Sequence, residues 1–302
     1  TLCLIFDAIE KKQIALTDEV TISEHAASMG GSQVFLEAGE VQTVETLIKC
    51  ISIASANDAC VAMAEFICGS EEEFVAQMNK KAADLGMEDT HFVNCCGLSA
   101  NGHLTSAYDI GLMARELSVR HPQIHDYCTI WMENIIHQTK RGDSEFGLAN
   151  TNKLLKQYPY ATGLKTGYTA AAKYCIAATA EKDGVKLIAV LMGAPDIKSR
   201  TADAQTLLNY GFSVCRIYKD KNPSPLPDMA VKKGEKDSVA LTYESDMSYV
   251  STNGEDLSNV TKKIRLPKSV TAPVKKGDTV GKVTYYSGEK ELGHINILYA
   301  DS

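Results

Sequence analysis

Two apolar, strand-forming runs, residues 174–180 and 185–192, are separated by Asp183-Gly184, a dipeptide that reverses a chain in two residues. The pattern predicts an antiparallel hairpin, and it fixes the setting of the segment before it. In Ala161-Thr-Gly-Leu-Lys-Thr-Gly-Tyr-Thr169, the triplet Lys165-Thr166-Gly167 joins a cation, a hydroxyl and a missing side chain, on or just before an edge of the same sheet. That combination suits a carboxylate-bearing peptide laid along the strand. The plainer alternative is a strand start with an exposed lysine and a glycine that permits a bulge.

A second constraint lies far upstream. Residues 44–54 have helical apolar spacing and run into Ser55-Ala56-Asn57-Asp58, after which residues 59–67 form a second apolar helix. A hydroxyl and a carboxamide are thereby placed together at a helix junction. A Ser-x-Asn triplet is expected about once by chance in a chain of this length, and Ser99-Ala100-Asn101 is a second copy. Ser99 follows Cys96-Gly-Leu and precedes Gly102 in a loop, whereas two buried helices would hold Ser55 in one rotamer. Ser55 and Asn57 are therefore the expected pair.

The remaining first half reads as helices with identifiable ends. Leu2, Ile5, Phe6 and Ile9 mark an opening helix, residues 13–20 a turn and an extended segment, and residues 26–32 a loop of small residues. Ser70 with Glu73 forms a capping box for a helix running to Leu85 and stopped by Gly86. Ser106 with Asp109 does the same for a helix ending near Leu117, and residues 201–211 read as a closing helix with Gly211 at its end.

Three prolines in residues 221–227 make a stiff extended linker. Beyond it, alternating runs such as Val239, Leu241, Tyr243 and Ile295, Ile297, Tyr299, with turns at Asn253-Gly254 and Lys276-Gly-Asp278, predict a small β-sandwich. The expected division is 1–220, the linker 221–227, and 228–302.

Composition removes several classes of function. A net charge of −7 without a basic block argues against nucleic acid or anionic lipid as a partner. No apolar run approaches the roughly 18 residues of a membrane-crossing helix. The nine cysteines are an odd number, and Cys3, Cys50, Cys60, Cys68, Cys175 and Cys215 lie in apolar segments where a thiol packs like a small hydrophobe, so mostly free thiols are expected. His91, Cys95, Cys96 and His103 fit no zinc spacing. His121 and His125 are a helical i, i+4 pair in number only, since Pro122 breaks the helix that would align them.

Together, Ser55-Ala-Asn57 and Lys165-Thr-Gly167 are two of the three motifs of the penicillin-binding protein and serine β-lactamase superfamily. With the wording around them (Leu47-Ile-Lys-Cys-Ile-Ser-Ile-Ala-Ser-Ala-Asn-Asp-Ala59, Asn150-Thr-Asn-Lys-Leu-Leu155, Tyr174-Cys-Ile-Ala-Ala-Thr-Ala180), the whole chain resembles low-molecular-mass D-alanyl-D-alanine carboxypeptidases, most of all those of Gram-positive spore formers. The resemblance implies an α/β β-lactamase/transpeptidase-like domain, an antiparallel sheet flanked by helices, followed by a small all-β sandwich domain. It implies removal of the last D-alanine from peptidoglycan stem pentapeptides through an acyl-enzyme, inhibition by β-lactams, and export to the extracytoplasmic face of the membrane or the wall. Membrane attachment would come only through segments outside this sequence, and neither metal nor cofactor is implied.

The resemblance also implies roles. Ser55 relays a proton to the departing amine, Asn57 orients the acyl chain, and Lys165 keeps Ser55 hydrogen-bonded. Lys165, Thr166 and Arg200 meet the terminal carboxylate, Gly167 admits the substrate backbone, and the Tyr168 N–H is an oxyanion donor. The third family motif, the Ser-x-x-Lys that carries the nucleophile, is expected just upstream of Thr1. Ser287-Gly-Glu-Lys290 and Thr46-Leu-Ile-Lys49 are in the wrong places to replace it. Lys173 stands where the family usually has glycine. A class A β-lactamase is disfavoured, because no deacylating glutamate loop is legible and such a chain would end near Asp220. A wall-peptide binder without a nucleophile is the alternative from another class.

Overall fold

The computed structural model describes residues 1–139, 142–222 and 224–302; Pro223 of the linker lies outside them. The chain forms two compact units, Thr1–Lys182 with Lys186–Asn209, and Asp183–Val185 with Tyr210–Ser302.

The hairpin forms as expected. Lys173–Lys182 and Val185–Ala194 are neighbours in a three-stranded sheet whose edge strand is Ala161–Thr169. Asp183 and Gly184 both have positive φ, 52° and 78°, the signature of a turn whose twist matches that of the strands it joins. Lys165 is paired with Ala177 and Gly167 with Cys175, so the Lys-Thr-Gly triplet lies within the edge strand.

Helix Asn57–Cys68 is the centre of the helical layer: every residue from Asn57 to Ala64 is buried, the mark of a helix covered on all sides. Helix Val44–Lys49, capped by the Thr43 hydroxyl, leads towards it. The run expected as one helix to residue 54 changes winding at Cys50, and Cys50–Ala54 form a π-helical turn. The wider turn keeps Cys50, Ile51 and Ile53 in the core and delivers the chain to Ser55 in a left-handed conformation, φ 61° and ψ 39°.

The capping serines act as read. Ser70 accepts from Glu73 N ahead of helix Glu71–Asp84, and Ser106 from Asp109 N ahead of helix Ala107–Arg120. The latter outruns its expected end and stops just before Pro122. The closing helix is longer than expected at both ends, Ile197–Val214, because Asp196 Oδ1 accepts from Ser199 N at 2.7 Å and starts the helix a turn early. The small-residue loop begins with a short helix, Glu24–Ala27. Strands Met132–Thr139 and Gly142–Ala149 pair as a hairpin without a counterpart in the sequence reading. Gly142–Ala149 is mostly exposed and polar, so it lacks the apolar alternation that marks a strand.

In the second unit, strands Leu241–Tyr243, Lys290–Tyr299, Thr279–Ser287 and Val260–Arg265 form a four-stranded sheet in that order. Its alternation buries Ile295, Ile297 and Tyr299, and two small cores result, around Tyr285 with Val283 and around Met229 with Val239. Arg216–Asp220 pairs with Met247–Ser251, so residues just before the linker belong to this unit's β structure. No helix among the described residues is long and apolar enough to cross a membrane.

Candidate active site

Ser55 and Lys165, 110 positions apart, meet: Lys165 Nζ donates to Ser55 Oγ at 2.7 Å and to the Thr166 carbonyl at 3.0 Å. The π-turn explains how a serine comes to be presented there. Ala56 N donates to Cys50 O at 3.2 Å, closing the turn, and the left-handed residue inside it costs on the order of 1–2 kcal/mol for a side chain other than glycine. Such strain persists where surrounding packing over-determines it, here two buried helices. Burial holds the Lys165 amine well below the ordinary lysine value, to about 8, with the nearby Arg200 cation acting in the same direction.

Asn57 begins the next helix. It is 5% exposed, its backbone N–H donates to Ser32 O and its Nδ2 to Gly30 O, both at 2.8 Å. The buried Asp58 carboxylate accepts from Val34 N and Leu36 N, each at 3.1 Å, so the two adjacent side chains pin the segment 30–36 from one helix end. Gly31 sits at φ 82°, and a Cβ there would lie 2.9 Å from Asn57 Nδ2. Gly30-Gly31, read from the sequence only as a loop, are thus the residues that let backbone approach the carboxamide.

Thr166 is buried, with its hydroxyl 2.7 Å from that of Thr151. Thr151 N donates to Ile53 O at 3.3 Å, which ties the sheet edge to the π-turn. Asn150 fixes that link, donating to the carbonyls of Cys128 and Ile130. Neither Thr151 nor Asp58 was singled out from the sequence; the only available signals were their adjacency to Asn150-Thr-Asn and to Asn57. Gly167 and Tyr168 are exposed, and a Cβ at Gly167 would meet nothing within 4 Å, so the edge is open at that point.

Arg200 is 4% exposed, yet its Nε has no partner among the described residues and its Nη1 reaches only the Cys175 carbonyl, at 3.4 Å. Its guanidinium lies 6.0 Å from the Tyr174 ring centroid, and burial lowers its pKa. A buried cation with spare donors, close enough to Lys165 to depress it, makes a positive spot at the open strand edge.

The structure therefore brings Ser55, Lys165 and Thr166 into one hydrogen-bonded group, with Asn57 at the adjoining helix start and Arg200 reaching from helix Ile197–Val214 to the Cys175 carbonyl of the next strand. The second Ser-x-Asn copy stays apart, with Ser99 and Asn101 both exposed. Lys49 is paired with Glu133, and Lys290 of the second unit with Glu255, so neither acts as a partner for a nucleophile here. All nine cysteines are free; of the six expected in apolar packing, Cys3, Cys50 and Cys60 are buried and Cys68, Cys175 and Cys215 half-buried. His103 Nδ1 accepts from Val93 N, His121 bonds Asp7, and His125 bonds the Thr162 carbonyl.

A hydroxyl held by an ammonium group, beside an open strand edge and a second cation, is suited to an extended peptide ending in a carboxylate. Comparison with known proteins agrees with that chemistry. Residues 1–196 match the family described as D-alanyl-D-alanine carboxypeptidase, and residues 217–302 the C-terminal domain of penicillin-binding protein 5. The chain is 44% identical over 282 residues to the D-alanyl-D-alanine carboxypeptidase DacF of Bacillus subtilis, covering 93% of this chain and 72% of that protein. It is 31% identical to the D-alanyl-D-alanine carboxypeptidase DacA of Escherichia coli, covering 96% and 72% respectively. Among solved structures, penicillin-binding protein 5 of Haemophilus influenzae superposes with a TM-score of 0.74 at 28% identity, covering 100% of this chain and 88% of that one.

Proposed function

The chain belongs to the D-alanyl-D-alanine carboxypeptidase family of serine peptidases, and from that premise we propose that it removes the terminal D-alanine of peptidoglycan stem pentapeptides through an acyl-enzyme that β-lactams also form. The observation that carries this reading is the 2.7 Å bond from Lys165 to Ser55. An ammonium group donating to that hydroxyl leaves the hydroxyl's own proton free for the leaving amine, as general acid catalysis requires. Asn57 orients the acyl chain. Lys165, Thr166 and Arg200 receive the terminal carboxylate, Gly167 gives the peptide backbone access to the strand edge, and the Tyr168 N–H stabilises the oxyanion.

The nucleophile belongs in a Ser-x-x-Lys turn leading into helix Leu2–Glu10. Support for that placement is geometric. Thr1 Oγ1 donates to Cys95 O, and the neighbouring Cys96 thiol donates to Asn57 O at 3.5 Å, so Thr1, at the start of helix Leu2–Glu10, is linked through one loop to the Asn57 helix start. A wall-peptide substrate favours work outside the cytoplasmic membrane, and the motif wording that resembles enzymes of Gram-positive spore formers favours work during sporulation; fractionation of growing and sporulating cells tests both.

Intact-mass analysis of the protein carrying its upstream Ser-x-x-Lys, incubated with penicillin, is expected to show one covalent adduct. Pentapeptide is expected to lose one D-alanine. Failure to acylate in a folded protein with that motif intact overturns the reading in favour of a non-catalytic wall-peptide binder.

A further inference from the structure

We propose that Cys60, Cys95 and Cys96, with the Glu71 carboxylate, form a binding site for a zinc ion. None of these residues has a part in the chemistry above, and the sequence gives no metal spacing for them. The ligand atoms of Glu71, Cys95 and Cys96 all lie within 4.8 Å of one another. The Cys95 and Cys96 sulfurs are 3.6 Å apart. Two thiolates on a tetrahedral zinc at about 2.3 Å each are separated by roughly 3.8 Å, so the pair needs little movement to become ligands. The Cys60 and Cys96 thiols act on each other's ionisation, which puts a third sulfur, from the buried helix Asn57–Cys68, beside the pair.

Adjacent cysteines rarely point to one place without a reason, and here the reason is visible. Asn94 Oδ1 accepts from Cys96 N, Gly97 N and Leu98 N, curling the segment around a single side chain. Glu71 is already oriented: one carboxylate oxygen accepts from Cys95 N at 3.0 Å and the other lies 3.1 Å from His25 Nε2, the kind of outer partner that positions a ligating group. His25 is exposed and Cys96 is half-buried, so an ion has a path in from solvent. The other clustered donors among the described residues, Asp7, Glu10 and His121, are by contrast neutralised by Lys81 and Arg120.

Binding releases a proton from each ligating thiol to solvent. The ion would join three segments at one point: the Asn57–Cys68 helix, the first turn of helix Glu71–Asp84, and the loop 94–98. It would also remove the Cys96 thiol proton now donated to the Asn57 carbonyl. The site is therefore a clamp on the wall behind the Ser-x-Asn turn, independent of the hydrolytic reading.

Cobalt provides the test. Full-length protein, reduced and stripped with chelator, is titrated with Co²⁺ alone and then with Zn²⁺. One equivalent of Co²⁺ is expected to give thiolate-to-metal absorption with tetrahedral bands, which Zn²⁺ abolishes, and zinc is expected to protect three of the nine thiols from a thiol reagent. Cys95→Ser and Cys96→Ser remove the signal, His25→Gln weakens binding about 10- to 100-fold, and Cys215→Ser changes nothing. Circular dichroism checks folding; if a cysteine variant fails to fold, Glu71→Gln in the wild-type thiol background, which should also weaken binding, serves instead. The proposal is overturned if no thiolate band appears at one equivalent. It is equally overturned if the band survives both Cys96→Ser and Glu71→Gln, or if the thiols are found joined as a disulfide that reduction does not convert to a metal-binding form.

Discussion

Lys165 is the residue on which the site's charge depends, and its environment sets a pH limit. Burial and Arg200 hold its amine at about 8, so below that pH it is an ammonium that donates to Ser55 and attracts a carboxylate. We expect kcat/KM, which reports the free enzyme, to fall as pH rises through about 8; a Lys165→Arg variant should lose this alkaline limb, and a limb unchanged in that variant assigns it elsewhere. The stability consequence has the opposite slope. Because the unfolded chain keeps its lysine protonated up to about 10.5, it binds more protons than the folded one between about 8 and 10.5, and this group's contribution to stability rises across that window. Arg200 invites a second test. Losing a charged hydrogen bond to the substrate carboxylate costs about 1.5–3 kcal/mol, so Arg200→Ala should lower kcat/KM on a D-Ala-D-Ala peptide roughly 10- to 150-fold. Lys165→Ala should cost more, because it also releases Ser55. Asn57→Ala should cripple turnover while the exposed Asn101→Ala leaves it intact, and the reverse pattern would mean that the wrong Ser-x-Asn had been assigned.

At the level of elements, two left-handed backbone positions, Lys173 and Gly31, answer substitution in opposite senses. Lys173 closes the turn after the Lys-Thr-Gly strand with φ 57°, a conformation in which glycine has no Cβ to clash. The family's usual glycine thus has a physical reason, and Lys173→Gly is expected to raise stability by about 0.5–1 kcal/mol, the relief of the left-handed penalty less the extra freedom of the unfolded chain. Thermal unfolding measures it, and a fall in Tm would show that the lysine is held by contacts stronger than its strain. Gly31 behaves in the opposite sense. Gly31→Ala adds a Cβ at φ 82° and 2.9 Å from Asn57 Nδ2, so it should lower stability by about 1–2 kcal/mol and slow acylation with it. The hairpin was legible because Asp-Gly and alternating strands are local signals. The π-turn was not, since Cys50, Ile51, Ser52 and Ile53 are all buried and so short a covered run has no apolar period from which its winding could be read.

The whole molecule divides where few groups of the site are at risk. Every residue assigned to the chemistry lies at or before Arg200, but Arg216–Asp220 pairs with Met247–Ser251, so a cut at Asp220 would leave that strand without its partner. A chain ending at Val214 keeps helix Ile197–Val214 whole and should be acylated by penicillin at the rate of the full protein. Loss of acylation in such a truncated but folded protein would assign part of the site to the second unit.

The sequence by itself determined the hairpin and the helix caps, because each rests on contacts between residues near one another in the chain, and the family, because each motif is a short run of neighbouring residues. It distinguished Ser55 from Ser99 only through the apolar runs around it; in the structure Ser99 and Asn101 are exposed. Tertiary structure alone decided that Thr151 backs Thr166, that Asp58 and Gly31 hold the loop over Asn57, and that Glu71 meets Cys95 and Cys96. Those partners lie well apart along the chain, Thr151 and Thr166 by 15 positions and Glu71 and Cys95 by 24, and spacing carries no signal for donors and acceptors that meet only after two helices and a sheet have packed. The left-handed Ser55 belongs with them: its backbone is strained locally and is held by the core on either side of it.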